Sequence, residues 1–100
     1  MLKHIVFWKL LDEAEGGTKR ENALIIKERL EALQGRIEGM ISMEVGVGIE
    51  EGDFDACLVS KFTDKAALDH YKNHPLHKEV QSFVHKVKCG RACVDFESEE

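Results

Sequence analysis

The sequence predicts an α+β fold in which a four-stranded antiparallel sheet carries helices on one face. Three observations lead there. The hydrophobic pattern runs strand, helix, strand, strand, split helix, strand, an order most simply satisfied by one sheet with helices folded back on it. The first and third strands are apolar on both sides, as strands in the middle of a sheet are. A chain of 100 residues can bury about 60–70% of its unfolded surface, enough for one core and not two. Residues 1–97 are therefore expected to form a single domain, and residues 98–100 a charged, frayed tail.

Residues 2–10 contain Ile5, Val6, Phe7 and Trp8 between polar ends, the pattern of a strand. Alternation puts His4, Val6 and Trp8 on one side and Ile5 and Phe7 on the other. The acidic, glycine-containing residues 12–17 read as a loop. Thr18 and Glu21 stand at capping-box spacing, and Ala23, Ile26, Leu30, Leu33 and Ile37 then recur at steps of three and four. This predicts an amphipathic helix that frays across residues 35–39. Ile41, Met43, Val45 and Val47 alternate with polar or small residues, predicting a strand with one buried face. An acidic turn at 48–53 leads into a third strand at 54–62. Asp64 can cap a second helix that buries Ala67, Leu68 and Tyr71.

Proline lacks an N–H and suits the first turn of a helix, so His74-Pro75 ends the second helix and starts a third. Leu76, Val80, Phe83 and Val87 form the apolar stripe of that helix, and Gly90 its stop. Residues 91–96 make the last strand, with Ala92, Val94 and Phe96 on one side. Helices can cover only one face of this sheet. Ile5, Phe7, Cys57 and Val59 lie on the other, which predicts a two-fold homodimer packed sheet against sheet.

Composition excludes several classes of function. The net charge is −5, from 14 basic and 19 acidic residues, and no lysine- or arginine-rich run is present. Nucleic acid and anionic membrane are thus not expected partners. Lys3, His4 and Lys9 interrupt the apolar N-terminus, which fits neither a signal peptide nor a membrane span, and a cytoplasmic location is expected. Three cysteines, an odd count without Cys-x-x-Cys spacing, fit reduced thiols better than a disulfide scaffold or a zinc site, with Cys57 a small core residue and Cys93 on a strand. No cofactor is expected.

Residues 69–80 hold three of the five histidines, the only proline and the only tyrosine. Tyr71 sits on the last turn before the helix break and His77 on the first turn after it, so the two can converge on one cavity. The alternative is packing, with the Tyr71 ring on the core and its hydroxyl wet, and His74 and His77 capping and solvating a helix start. His70, His74 and His77 have helical spacing suited to a transition metal. Pro75 interrupts the helix between them and no carboxylate completes a set, so no metal ligands are assigned. His85 is expected on the solvent side of the third helix, and residues 50–53 as an acidic surface turn.

The chain also resembles a known family. His4-Ile5-Val6, Glu44-Val45-Gly46, Phe54-Asp55, Phe62, the run Tyr71-x-x-His74-Pro75-x-His77-x-x-Val80 and the closing Val94-Asp95-Phe96 together are similar to the stress-responsive dimeric α/β-barrel (Dabb) family, over nearly the whole chain. The resemblance implies a ferredoxin-like fold whose sheets pair into a barrel across a homodimer. Most such proteins have no defined activity, which implies a stress-associated structural or binding protein in which His4, Tyr71 and His77 form a buried hydrogen-bonded network. A plant branch contains polyketide cyclases. That likeness implies a cofactor-independent enzyme acting on a small aromatic or polyketide-like ligand, with His77 as general base and Tyr71 supporting it as hydroxyl donor. The implied cavity is walled by His4, Val6, Trp8, Ile26, Leu58, Val80 and Val84. Trp8, Ile25 and Arg29 depart from those cyclases at the wall or rim, so their substrate is not carried over.

Overall fold

The computed structural model describes residues 1–99, so Glu100 of the expected tail lies outside the described residues. The elements are β1 (Leu2–Leu10), β2 (Glu13–Ala14), β3 (Gly17–Thr18), α1 (Lys19–Glu31), β4 (Met40–Val47), β5 (Ala56–Phe62), α2 (Lys65–Asn73), α3 (Pro75–Val87) and β6 (Lys88–Glu97). The main sheet has the order β4-β5-β1-β6, and each neighbouring pair is antiparallel. With the helices on one face, this is the ferredoxin-like arrangement. β1 is central, and its alternation is as the sequence indicates: His4, Val6 and Trp8 are buried under the helices, whereas Phe7 remains 36% exposed on the open face.

Several local expectations hold for the physical reasons given. Glu21 N–H donates to Thr18 Oγ1 at 3.2 Å, and Thr18 N–H donates to Glu21 Oε1 at 3.0 Å, closing the capping box. Asp64 accepts from Ala67 N–H at 2.8 Å and starts α2. Helix-facing residues of β1 and β5 meet Ile26 and Leu30 of α1, Leu68 and Tyr71 of α2, and Val80, Val84 and Val87 of α3 in one core.

The structure also corrects the sequence reading. Residues 12–17 are not simply a loop: Glu13–Ala14 and Gly17–Thr18 pair as a small hairpin, held by buried Asn22, whose Nδ2 donates to Ala14 O at 2.9 Å. α1 stops at Glu31, before Leu33 and Ile37. The following turns, closed by bonds from Leu33 N–H to Leu30 O and from Arg36 N–H to Leu33 O, still bury both side chains. In β4 the pairing shifts between Met40 and Ser42, leaving Ile41 as an extra residue. The bulge turns Met40 inward and leaves Ile41 40% exposed, reversing the expected alternation there.

Gly90 does not end α3. Lys88 leaves the helix directly in extended conformation, and Gly90 lies in β6 opposite Lys9. Cys57 is half-buried on the open face rather than in the core. The tail at Ser98 remains attached, its N–H donating to Met1 O at 2.6 Å. Among the described residues no helix is long and apolar enough to cross a membrane.

The link from α1 to β4 depends on Gly39, with φ +88°, whose carbonyl accepts from Thr63 N–H at 3.0 Å. A β-carbon there would lie 2.5 Å from that of Ala67, whereas Gly35, at φ +82°, faces open space. Both positions favour glycine, but only one is also crowded. Gly35→Ala is expected to cost about 1 kcal/mol of stability, and Gly39→Ala about 1–3 kcal/mol more, as read by urea denaturation.

Candidate functional site

One residue joins the two helices that carry the polar aromatic groups. His74 N–H donates to Tyr71 O at 3.1 Å, closing α2, and His74 Nδ1 accepts from Leu76 N–H at 3.1 Å, opening α3. The corner brings the rings of Tyr71 and His77 within 4.2 Å, tilted by 37°. His77 Nδ1 lies 3.3 Å from Lys72 O. A carbonyl oxygen only accepts, so this contact assigns the proton to Nδ1 and leaves the lone pair of the neutral ring on Nε2. Burial lowers the His77 pKa from its ordinary value, against the opposing pull of the Lys72 carbonyl.

Tyr71 is 1% exposed, and its ring packs on Phe62 at 5.2 Å and edge-on to His4 at 6.4 Å. Burial pushes its hydroxyl well above the ordinary phenol range, so it remains a proton-bearing donor. Among the described residues its side chain makes ring contacts and no hydrogen bond, and since no fully buried polar side-chain atom is left unpaired there, the hydroxyl opens onto solvent-accessible space. His4, Tyr71 and His77 therefore meet as rings and not as the hydrogen-bonded network expected from the sequence.

These groups border a cavity of about 420 Å³ between the sheet and the helix pair. Its floor comes from His4, Val6 and Trp8 of β1 and Leu58 of β5, and its apolar wall from Val80 and Val84. Ile26 is absent from it: that side chain is wholly buried in the core, and Leu30, four residues along the same stripe, supplies the wall from α1. Ile25 and Arg29 do not line it either, and the Arg29 guanidinium stacks 4.8 Å above the Phe83 ring. The sequence reading missed the polar lining from Lys72, Gln81, Lys88 and Arg91. His85, exposed as expected, also stands at this boundary. Lys72, Lys88 and Arg91 give the lining three fixed positive charges.

His4 has a second environment. Its Nδ1 is hydrogen-bonded to Asp95 Oδ1 of β6, and Cys93 Sγ lies 3.8 Å from the same nitrogen and 3.7 Å from that oxygen. Burial lowers the His4 pKa although Asp95 opposes it. For Asp95, burial acts upward, but the His4 hydrogen bond and the charge of Lys72, 3.7 Å away, hold the carboxyl below its usual range. Burial, aided by the Asp95 charge, pushes the Cys93 thiol up. The register could have revealed this group, because His4 is directly opposite Asp95, and Cys93 and Asp95 share a face two residues apart. His70 and His74 meet edge to face at 5.5 Å while His77 packs on Tyr71, so the three histidines of the break do not converge.

A ferredoxin-like α+β domain with a polar-cornered cavity between helices and sheet is the class that this fold and site define. The model of the stress responsive A/B barrel domain family matches residues 2–98, and the chain belongs to that family. It is similar to a dimeric protein of unknown function with a ferredoxin-like fold from Bacteroides fragilis, at 33% identity and TM-score 0.87, covering 97% of this chain and 95% of that one. A dimeric ferredoxin-like protein of unknown function from Jannaschia sp. is 26% identical at TM-score 0.74, covering 97% and 98% of the two chains. A putative antibiotic biosynthesis monooxygenase from Nitrosomonas europaea shares the fold at TM-score 0.80, with 12% identity and full coverage of both chains. No curated protein matches the chain.

The two lowered histidines set a pH dependence. With folded pKa values below the unfolded value of about 6.5, the unfolded chain binds more protons as acidity rises, so protonation favours unfolding. Thermal stability is expected to fall between about pH 7.5 and pH 5.5, before the lowered carboxylates begin to titrate. His77→Gln should flatten part of that slope in melting curves recorded across the range.

Proposed function

We propose that this protein is a homodimeric, stress-associated binding protein whose cavity takes a small, partly aromatic anion. The observation that carries this reading is the cavity itself: an apolar floor and wall, a corner with an unpartnered tyrosine hydroxyl and a histidine lone pair, and three lysine or arginine charges in the lining. A protein of net charge −5 that concentrates cations around one cavity favours an anionic guest there. The expected location is the cytoplasm, with neither nucleic acid nor membrane as partner.

Dimerisation through the open sheet face is part of this reading. Val59, Ile5 and Val94 form one row across β5, β1 and β6, and Cys57, Phe7 and Ala92 form the next. Phe54 extends the patch by packing on Phe7 at 5.6 Å. Val59, Val94 and Phe96 are 40%, 51% and 44% exposed, an apolar surface suited to a second copy. The similar proteins from Bacteroides fragilis and Jannaschia sp. are dimeric, which supports the same assembly here.

A second reading, proton-transfer catalysis without a cofactor, is favoured by His77. A neutral ring with Nδ1 tied to Lys72 O offers Nε2 as a base, and Tyr71 can donate to an oxyanion. On a polyketide-like ligand, Nε2 would take a proton from carbon next to a carbonyl. The carbanion would then close on a second carbonyl, whose oxygen Tyr71 would stabilise.

Histidine-resolved NMR titration with aromatic carboxylates and polyketide-like acids tests the cavity. A ligand is expected to shift the His77 signal, with affinity falling in Arg91→Ala; a His77 signal blind to every such anion would overturn the reading. Tyr71→Phe should leave urea stability within about 0.5 kcal/mol because its hydroxyl bonds no described residue, while reducing ligand affinity. Phe7→Glu and Val59→Glu should convert the dimer to monomer in sedimentation velocity, and variants that stay dimeric would rule out sheet-to-sheet packing.

A further inference from the structure

We propose that His4 Nδ1, Cys93 Sγ and Asp95 Oδ1 form a three-ligand site for a zinc-class divalent ion. The site lies beside the ligand cavity and stands whether or not that cavity takes an organic anion. Its three donor atoms lie within 4.8 Å of one another. They are placed by the β1–β6 ladder, where Asp95 pairs with His4, and Cys93 with Val6, so all three side chains project to the helix side. Donors fixed by paired strands need little ordering on binding.

The spacing is that of a tetrahedral centre. Bonds of about 2.0–2.3 Å place neighbouring ligands about 3.3–3.8 Å apart. The thiol stands 3.8 Å from His4 Nδ1 and 3.7 Å from Asp95 Oδ1, so two edges of the tetrahedron are already present. The third is shorter because a hydrogen bond joins His4 to Asp95. Metal binding moves that imidazole proton from Nδ1 to Nε2 and releases the Cys93 thiol proton to solvent, and the carboxylate, partly exposed on an edge strand, can swing outward to make room.

The arrangement also argues against a nucleophile relay. Cys93 and Asp95 approach the same ring nitrogen, whereas a relay needs the thiol and the carboxylate on opposite nitrogens. One thiolate, one imidazole and one carboxylate suit zinc or cobalt and disfavour magnesium and calcium, which bind through oxygen. The two anionic ligands cancel the divalent charge. Lys72, already 3.7 Å from Asp95, would then face a neutral centre and be placed to attract an anion to the fourth coordination position.

The test uses the full-length protein, reduced and metal-free, titrated with Co(II) in the spectrophotometer and with Zn(II) in the calorimeter. One metal per chain is expected, with a thiolate-to-cobalt charge-transfer band that zinc abolishes. Cys93→Ser should remove the band and weaken zinc binding by on the order of tenfold or more, and Asp95→Asn should weaken zinc binding with the band retained. Both side chains are exposed enough for the variants to fold, unlike buried His4. Cys89→Ser, an exposed thiol outside the group, should change neither readout. Absence of the band at saturating cobalt, its persistence in Cys93→Ser, or zinc binding unaffected by both Cys93→Ser and Asp95→Asn would overturn the site.

Discussion

β1 imposes the constraint on which the rest of the molecule depends. It is hydrogen-bonded along both edges, to β5 and β6, and carries large apolar side chains on both faces. Neither face can be left to water at no cost, since burying apolar surface contributes about 25 cal/mol per Å². One face is covered by this chain's own helices, which creates the core, and the cavity where that cover is incomplete. The other is left open, with Phe7 and its cross-strand neighbours half in solvent. The pocket and the open apolar face are therefore two results of one strand being apolar on both sides.

The corner at His74-Pro75 turns that packing into chemistry. A continuous helix would point Tyr71 and His77 in directions set by about one and two-thirds turns of rotation. The break lets both rings face one space, with Lys72 O fixing the His77 tautomer as a by-product of ending α2. Burial then favours the uncharged form of each of the three rings at the corner, lowering the pKa of His4 and of His77 and raising that of Tyr71. His4 and Tyr71 are buried and His77 half-buried, whereas Lys72 and Arg91 are exposed and Lys88 half-buried.

What could be read in the sequence was what depends on local period and local bonds. The capping box at Thr18, the Asp64 cap, the break at Pro75 and the two-sided β1 each involve residues within a few positions of one another. The bulge at Ile41 was hidden because an extra residue in a strand is defined by its partner, and nothing within 40–47 marks it. Gly90 misled because glycine is common both after helices and where strands approach closely; here a β-carbon would meet Lys9 at 3.2 Å. For the site, Tyr71, His77 and His4 were legible from the corner and the alternation of β1. Asp95 and Cys93 were not, since pairing β1 with β6 joins residues about ninety apart and no local period or bond links them to His4. Ile26 was a plausible wall from periodicity alone, but the angle at which α1 crosses the sheet gave that place to Leu30.

The two outer strands of the sheet are treated differently. Along β4, side chains of α1 and the turn after it occupy the outward backbone groups: Glu31 accepts from Val45 N–H at 3.0 Å, Lys27 donates to Val45 O at 2.7 Å, and Gln34 accepts from Met43 N–H at 3.3 Å. Those bonds remove the template that a foreign strand would need, a common protection against edge-to-edge aggregation. The same side chains that end α1 thus shield the middle of one sheet margin from pairing with a foreign strand, so Lys27, Glu31 and Gln34 guard the solubility of the fold at a place far from the cavity.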